Sequence, residues 1–456
     1  MKRLARGNTE LILHGNLLQA ILSIAIPVII NSFLQTMYNL TDTFWLGRIG
    51  TSPLAAISLV TPVQSTVVNF GSGLTVAGSV LISQYVGAGR HEEAEKMANQ
   101  IYFCSMLFCL VCVLALEAFT PAIVTWLGSD GETWQHATTY LRIVSFDMPF
   151  LFTVNIFQAI RQAHGDTVQP MLMNLLGILI NMVLDPLLMV VIHWGAAGAA
   201  LATVLAKAVP AVVVLVLLTR SNAQVRLQRT KMKPEKSKLQ EIVRIGLPTA
   251  LGSSAMQFGF LLMSRNVYAY GVNAMAAYGI GNKVNGLISL PSNAIGSAVA
   301  TITGQNMGAD QPDRAEKGYH VSMIAAVAFL LVGGLVLSRP VVSTAVVSVF
   351  ATDADVIAMA ADFLSILALW CFSNGVYNAT AGLFQGFGHT EITMSIEAAR
   401  LWIFRFASLY LLDQVLHMGV RSVWYSVVIS NGISALILFI FYLTGIWRKN
   451  RVKLDK

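Results

Sequence analysis

Two acids stand in stretches of this chain that are otherwise hydrocarbon. In Gly177-Ile-Leu-Ile-Asn-Met-Val-Leu-Asp-Pro-Leu-Leu-Met189, Asn181 and Asp185 are four residues apart and share one face of a helix. The second acid, Asp42, closes the polar run Asn39-Leu-Thr-Asp42 of the first apolar stretch. A carboxylate at bilayer depth costs roughly 2.5–3.5 kcal/mol on insertion scales, so one kept there calls for a partner or a task. Counting from the turns expected near Gly50, Gly131 and Trp194 at 1.5 Å per residue sets Asp42, Tyr140, Asp185 and Thr203 at one level. That level lies on the order of 12–14 Å in from the outer helix ends, with Asn181 one turn deeper. Two carboxylates, an amide, a hydroxyl and a phenol make a candidate site for H⁺ or Na⁺. Desolvation and like-charge proximity carry protonation of such a pair toward neutral pH, and oxygen ligands suit a hard cation. Pro27 and Pro186 remove backbone hydrogen bonds nearby, so bending can accompany occupancy. The plainer alternative makes Asp42 interfacial and Asp185 the cap of a helix broken by Pro186, with Thr203 bonded to its own backbone and Tyr140 at the interface.

Other polar residues at membrane level invite the same weighing. Glu397 and Arg400 are spaced i,i+3 and are expected to pair, with Arg405 close in sequence. Lys207, Arg265 and Lys283 either line a cavity or snorkel. Gln257, Asn374 and Asn378 are polar but not ionisable, so they add lining without proton chemistry. Gly71, Gly73, Ala77 and Gly78 read as a close helix-packing face, because the strand-turn-helix setting of a phosphate loop is missing. Cys104, Cys109, Cys112 and Cys371 lie in apolar runs with nothing to lower a thiol pKa, which argues against redox or metal chemistry. No cofactor is expected beyond a coupling ion, H⁺ or Na⁺.

The elements that must position these residues follow from composition. The chain has 456 residues, 55% of them hydrophobic and 12% charged, and a mean hydropathy of +0.65. This places it among membrane proteins. A spanning helix needs about 20 apolar residues. Such segments run at about 17–46, 54–85, 98–127, 134–160, 169–192, 195–218, 239–270, 275–304, 318–349, 356–384, 392–416 and 422–446, making twelve helices. The ten-residue alternation of a membrane barrel is absent. The net charge of +7 gathers in short segments between these runs, among them Lys2, Arg3 and Arg6, Arg90 and Lys96, Arg314 and Lys317, and Arg448 to Lys456. That is the positive-inside pattern, with both termini cytoplasmic, and it argues against a nucleic-acid partner. Met1 to Gly15 is polar and basic, and no cleavable signal peptide is expected. The basic segment 219–238, with Pro234, links residues 17–218 to 239–446 and is expected to bury nothing; 1–16 and 447–456 complete the chain.

The two halves repeat each other. Pro27, Gly50, Ala55, Ala56, Gln84, Gly87, Ala88, Ala94, Glu95 and Lys96 recur as Pro248, Gly271, Ala276, Ala277, Gln305, Gly308, Ala309, Ala315, Glu316 and Lys317, all at an offset of 221 residues. Val124, Asp130, Asn155, Gln162 and Thr167 recur as Val347, Asp353, Asn378, Gln385 and Thr390 at 223. Two pseudo-symmetric six-helix bundles in the same orientation point to a transporter.

The chain resembles the multidrug and toxic compound extrusion (MATE) transporters over about residues 10–447, in the prokaryotic DNA-damage-inducible-type branch. The likeness is carried by Pro27, Asp42-Thr-Phe-Trp-Leu-Gly47, Gln84-Tyr-Val-Gly-Ala-Gly89, Gln305-Asn-Met-Gly-Ala309, Asn181 to Pro186 and Gly195-Ala-Ala-Gly-Ala-Ala-Leu-Ala-Thr203. It implies an all-α, twelve-helix membrane protein of two six-helix bundles in the inner membrane of a prokaryote. It further implies export of amphipathic, often cationic compounds in exchange for H⁺ or Na⁺. Asp42, Asn181, Asp185 and Thr203 match the family's N-lobe cation site, Tyr140 matches a tyrosine beside it, and helix 1 is thought to bend near Pro27. Other branches carry acids on helices 7 and 10, where this chain has Met256, Gln257, Asn374 and Asn378; the repeat mates of Asp42 and Asp185 are Met263 and Ser408. Coupling through the second half is therefore not expected. A monomer is expected. The alternatives are a lipid-linked oligosaccharide or lipid flippase, an integral-membrane enzyme using Asp42 and Asp185 as acid and base, and a passive channel. Helix count disfavours the first, duplicated halves without a nucleophile or metal cluster the second, and missing filter loops the third.

Overall fold

The computed structural model describes residues 9–48, 51–220, 225–351 and 353–448. The expectations for Lys2, Arg3, Arg6, Gly50 and the tail from Lys449 to Lys456 lie outside the described residues. Each of the twelve apolar segments is occupied by helix, and no strand occurs among the described residues. The first half contains α1 (Leu17–Arg48), α2 (Thr51–Gly87) and α3 (His91–Trp126). It continues with α4 in two pieces (Gly131–Ser145, Met148–Ala163), α5 (Val168–Asp185, running on as the π-helix Pro186–Val191) and α6 (Gly195–Thr219). The second half contains α7 (Lys236–Tyr268), α8 (Val272–Gly308) and α9 (Pro312–Leu337). After them come α10 in two pieces (Ala354–Leu369, Phe372–Gly386), α11 (Thr390–Ala399 and on through π-turns to Val415) and α12 (Arg421–Leu443).

Among the described residues, eight helices are long and apolar enough to cross a membrane unaided, and the two bent pairs bring the number to ten. The other two segments, α8 and α11, are respectively more polar and broken by π-turns. The two bends fall at matching places in the repeat, 44° between Ser145 and Met148 and 52° between Leu369 and Phe372. In the first, Pro149 supplies no N–H at the start of the second piece, so a continuous ladder is interrupted there.

The chain divides into two compact units, Met1–Glu10 with Ile26–Ala250, and Leu11–Ala25 with Leu251–Lys456. Helix α1 therefore changes unit immediately before Pro27, and α7 does so two residues after its repeat mate Pro248. Within the first unit, Ala56, Ile57, Val60, Leu141, Met189 and Ala199 form one apolar core. In the same unit a Cβ on Gly73 would run into the Gly246 carbonyl oxygen, so this glycine face does serve close packing of α2 on α7. The second unit has an aromatic core in which Phe363 stacks on Trp424 at 4.4 Å, with Tyr278 beside both.

The linker corrects one expectation: it buries surface and is bonded to α3. Val225 and Leu227 are buried, and the Asn99 and Gln100 amides donate to the carbonyl oxygens of Arg226, Lys231 and Lys233. Lys231 pairs with Glu95 at 2.8 Å and Lys238 with Glu93 at 2.7 Å. Charge complementarity with the head of α3 offsets the linker's polarity, which its own composition does not reveal. Glu316, the mate of Glu95, accepts from the Tyr442 hydroxyl at 2.6 Å and from Arg448 at 3.1 Å. Each half thus uses the same acid to hold the chain that leaves its last helix.

Candidate functional site

The first unit gathers the sequence-selected residues. At the end of its α-helical part, α5 presents Asn181 and Asp185 one turn apart, and the Asn181 amide donates to Asp185 Oδ1 at 3.1 Å. Both are buried, at 1% and 0% exposure. Pro186 has no N–H to give the preceding turn, and the chain continues as a π-helix. Its tight return into α6 requires positive φ at His193 and Gly195, 62° and 51°. A Cβ on Gly198 would lie 2.7 Å from the Leu188 carbonyl oxygen, so only glycine lets α6 start this close to α5. That approach sets Thr203, on the next turns of α6, against the site. The Asp42 and Asp185 carboxyl groups lie within electrostatic reach of each other. An ionised carboxylate only accepts, so a direct bond between the two requires a proton on one of them.

Thr203 Oγ1 donates to the Ala199 carbonyl at 3.0 Å, as the plainer sequence reading had it, and it borders a cavity together with Tyr38. Tyr140 is buried in the apolar core, within electrostatic reach of Asp42, Tyr38, Asp147 and Asp185. Pro27 lies apart from this cluster and lines a small cavity with Asn31, Gln158, Gln162 and Thr167. Asn181, Thr203, Tyr38 and Lys207 border a second cavity of about 90 Å³.

Two residues beside this cluster escaped the sequence reasoning. Tyr38 lies one turn before Asp42 on the same face of α1, a spacing that could have found it. Asp147 is 0% exposed at the bend of α4, where it pairs with Lys207 and accepts from Gln64 Nε2 at 2.9 Å. The rarity of intramembrane acids that singled out Asp185 applied to Asp147 as well. Lys207 neither snorkels nor stands free, and it is also within electrostatic reach of Asp42.

As a chemical set, the site offers oxygen acceptors short of donors: Asn181 Oδ1 and Asp185 Oδ2 are buried without a hydrogen-bond partner. Such atoms suit a proton or a hard cation equally.

The charges of the second half gather elsewhere. Asn374, Asn378, Glu397 and Arg400 line one cavity in the second unit together with Arg405. Glu397 and Arg400 do pair, loosely, at 3.5 Å. Gln257, Arg265 and Lys283 are exposed and do not line it.

Comparison with known proteins accords with this architecture. The multidrug export protein MepA of Staphylococcus haemolyticus is 25% identical over 447 residues, covering 97% of this chain and 96% of its own. The probable multidrug resistance protein NorM of Mannheimia succiniciproducens is 25% identical over 435 residues, covering 92% of each. A solved outward-facing conformation of a multidrug resistance MATE family transporter of the MOP superfamily shares the fold. Its TM-score is 0.90 at 24% identity, over 96% of this chain and 98% of that one. The family model described as MatE matches twice, at residues 27–187 and 248–411. The two matches fall one on each repeat and together take in more than half of the sequence, so the chain belongs to the MatE family of multidrug and toxic compound extrusion transporters.

Proposed function

We propose that the protein exports small amphipathic, often cationic compounds across the cytoplasmic membrane in exchange for H⁺ or Na⁺, with Asp42, Asn181, Asp185 and Thr203 as the ion site. The observation that carries this reading is the approach of the Asp42 and Asp185 carboxyl groups to each other beside two buried oxygen atoms without donors. The export of drugs is suggested by the names of relatives that align over nearly the whole chain.

On this reading the protonated pair is the loaded state. Loss of the shared proton leaves two carboxylates facing each other, a repulsion that Na⁺ or movement of α1 would relieve. Tyr38 and Asp42 share a face of α1, so a shift of that helix moves them away from Thr203 and Asp185 together. Pro27, already without an N–H to give the helix, is where α1 can bend. Substrate and ion then favour different states of one helix, which is the requirement for exchange. The protein works as a monomeric carrier, not as an enzyme, with both termini and the 219–238 linker in the cytoplasm, where anionic lipid rather than nucleic acid faces its basic residues.

Efflux of a fluorescent cation from proteoliposomes tests this, with a pH gradient and a Na⁺ gradient imposed separately. One gradient should drive transport, and Asp185→Asn and Asp42→Asn should each abolish it while the purified variants keep wild-type melting behaviour. Wild-type transport by both variants would remove the ion site from the mechanism.

A further inference from the structure

The cavity of the second unit is built for the opposite charge. It holds about 360 Å³ between α7, α8, α10, α11 and α12. Two guanidinium groups, Arg400 and Arg405, face a single carboxylate, Glu397. Arg405 is 4% exposed, and its Nε and Nη2 donate to Ser430 Oγ at 3.0 Å and Asn431 Oδ1 at 3.1 Å. Both acceptors are neutral, and among the described residues Arg405 has no carboxylate partner. Arg400 stacks over the Tyr377 ring at 4.9 Å, and its Nη2 reaches Glu397 only at 3.5 Å. Arg400 Nε and the Tyr377 hydroxyl, both donors, are buried without a hydrogen-bond partner.

Arginine does not deprotonate inside proteins, so one positive charge here stays uncompensated. A buried charge without a partner is costly, and so is each orphaned donor. Both deficits have one remedy, an oxyanion seated against the Arg400 fork and the Tyr377 hydroxyl. Met256, Phe260 and Val427 complete the wall with apolar surface. We infer that this cavity binds an anionic head group, carboxylate or phosphate, carried on an apolar body. The repeat mates of Asp42 and Asp185 are Met263 and Ser408, so the duplication has left acids in one unit and none at the same positions in the other. The inference is independent of which ion drives transport.

The test is equilibrium binding to the purified full-length protein in neutral detergent, with no gradient present. Dansylglycine supplies a fluorescent carboxylate, and its methyl ester supplies the same body without the charge. The acid should bind saturably and the ester at least about tenfold more weakly, the factor expected for a charge-assisted hydrogen bond. Arg400→Gln should weaken dansylglycine by about tenfold or more, and Glu397→Gln, which removes the carboxylate that Arg400 faces, should tighten it. Glu397→Gln leaves both arginines in place and so reads the site even if Arg400→Gln fails to fold. Displacement by phosphatidylglycerol but not phosphatidylcholine would identify a lipid head group as the occupant, and displacement by benzoate or inorganic phosphate alone a soluble anion. Either supports the site. Equal binding of acid and ester, or affinities unchanged in both variants, would overturn it.

Discussion

Asp147 and Lys207 give the sharpest test of the packing around the ion site. Asp147 is fully buried while the Lys207 side chain is 28% exposed, and among the described residues no second carboxylate is bonded to the ammonium. Asp147→Asn keeps the shape and leaves Gln64 an oxygen to donate to, so the main loss is the charge opposite Lys207. Breaking a buried pair by removing one partner costs about 3–5 kcal/mol. Lys207 keeps some access to water, which puts the expected loss near the lower end, about 3 kcal/mol. Adding Lys207→Met removes the stranded charge, and the double variant should fall within about 1 kcal/mol of wild type. The second substitution then recovers about 2 kcal/mol of the loss caused by the first. Reversible unfolding by SDS titration in mixed micelles, followed by tryptophan fluorescence, measures all four corners of the cycle. The single variant should also lower gradient-driven efflux, because Lys207 is within reach of Asp42 and can then compete with the proton. A double variant no more stable than Asp147→Asn would show that the pair contributes nothing and that the reasoning fails.

Three further outcomes follow from the geometry. Tyr38→Phe removes a hydroxyl that lies beside Thr203 and the two acids and can supply one hydrogen bond worth about 1 kcal/mol, and should shift the ion dependence of efflux by about fivefold; Thr203→Val should do the same, with no added effect in the double variant. Gly73→Ala drives a methyl group into the Gly246 carbonyl and should destabilise by about 1–3 kcal/mol in the SDS titration. Gly279→Ala, with nothing within 4 Å of the new atom, should be neutral or stabilising, and equal losses at the two sites would contradict the packing argument. At the head of α3, Lys238 and Lys96 hold the Glu93 carboxyl down from 4.5 to about 2. A depressed carboxyl stabilises fully above its unfolded value, so hydrogen exchange in 225–238 should stay slow above about pH 4.5 and quicken as the pH falls through about 2. Lys238→Gln should move that loosening upward in pH, and an unchanged profile would mean the linker is held by its backbone bonds alone.

Much of the architecture was legible because it depends on local rules. Apolar length sets the spans, and a shared offset exposes the duplication. The i,i+4 spacing of Asn181 and Asp185 set the two side chains together on any helix that formed, and the structure bonds them at 3.1 Å. Comparing depths across hairpins was enough to bring Asp42, Asp185 and Thr203 into one cluster. It also set Tyr140 at their level, where it sits in the apolar core within electrostatic reach of both acids.

What the sequence by itself determined, then, is which residues lie on which helix, at what depth and on which face, because helical geometry ties those to residue number alone. Only tertiary structure decided which charges meet. Asp147 and Lys207 are 60 residues apart, Lys231 and Glu95 are 136 apart, and Arg405 finds Ser430 and Asn431 rather than Glu397. Periodicity carries no information about which faces of different helices touch. The electrostatic cost of leaving a charge alone in an apolar interior does depend on it, and that cost separates an ion site from a cavity still short of one negative charge.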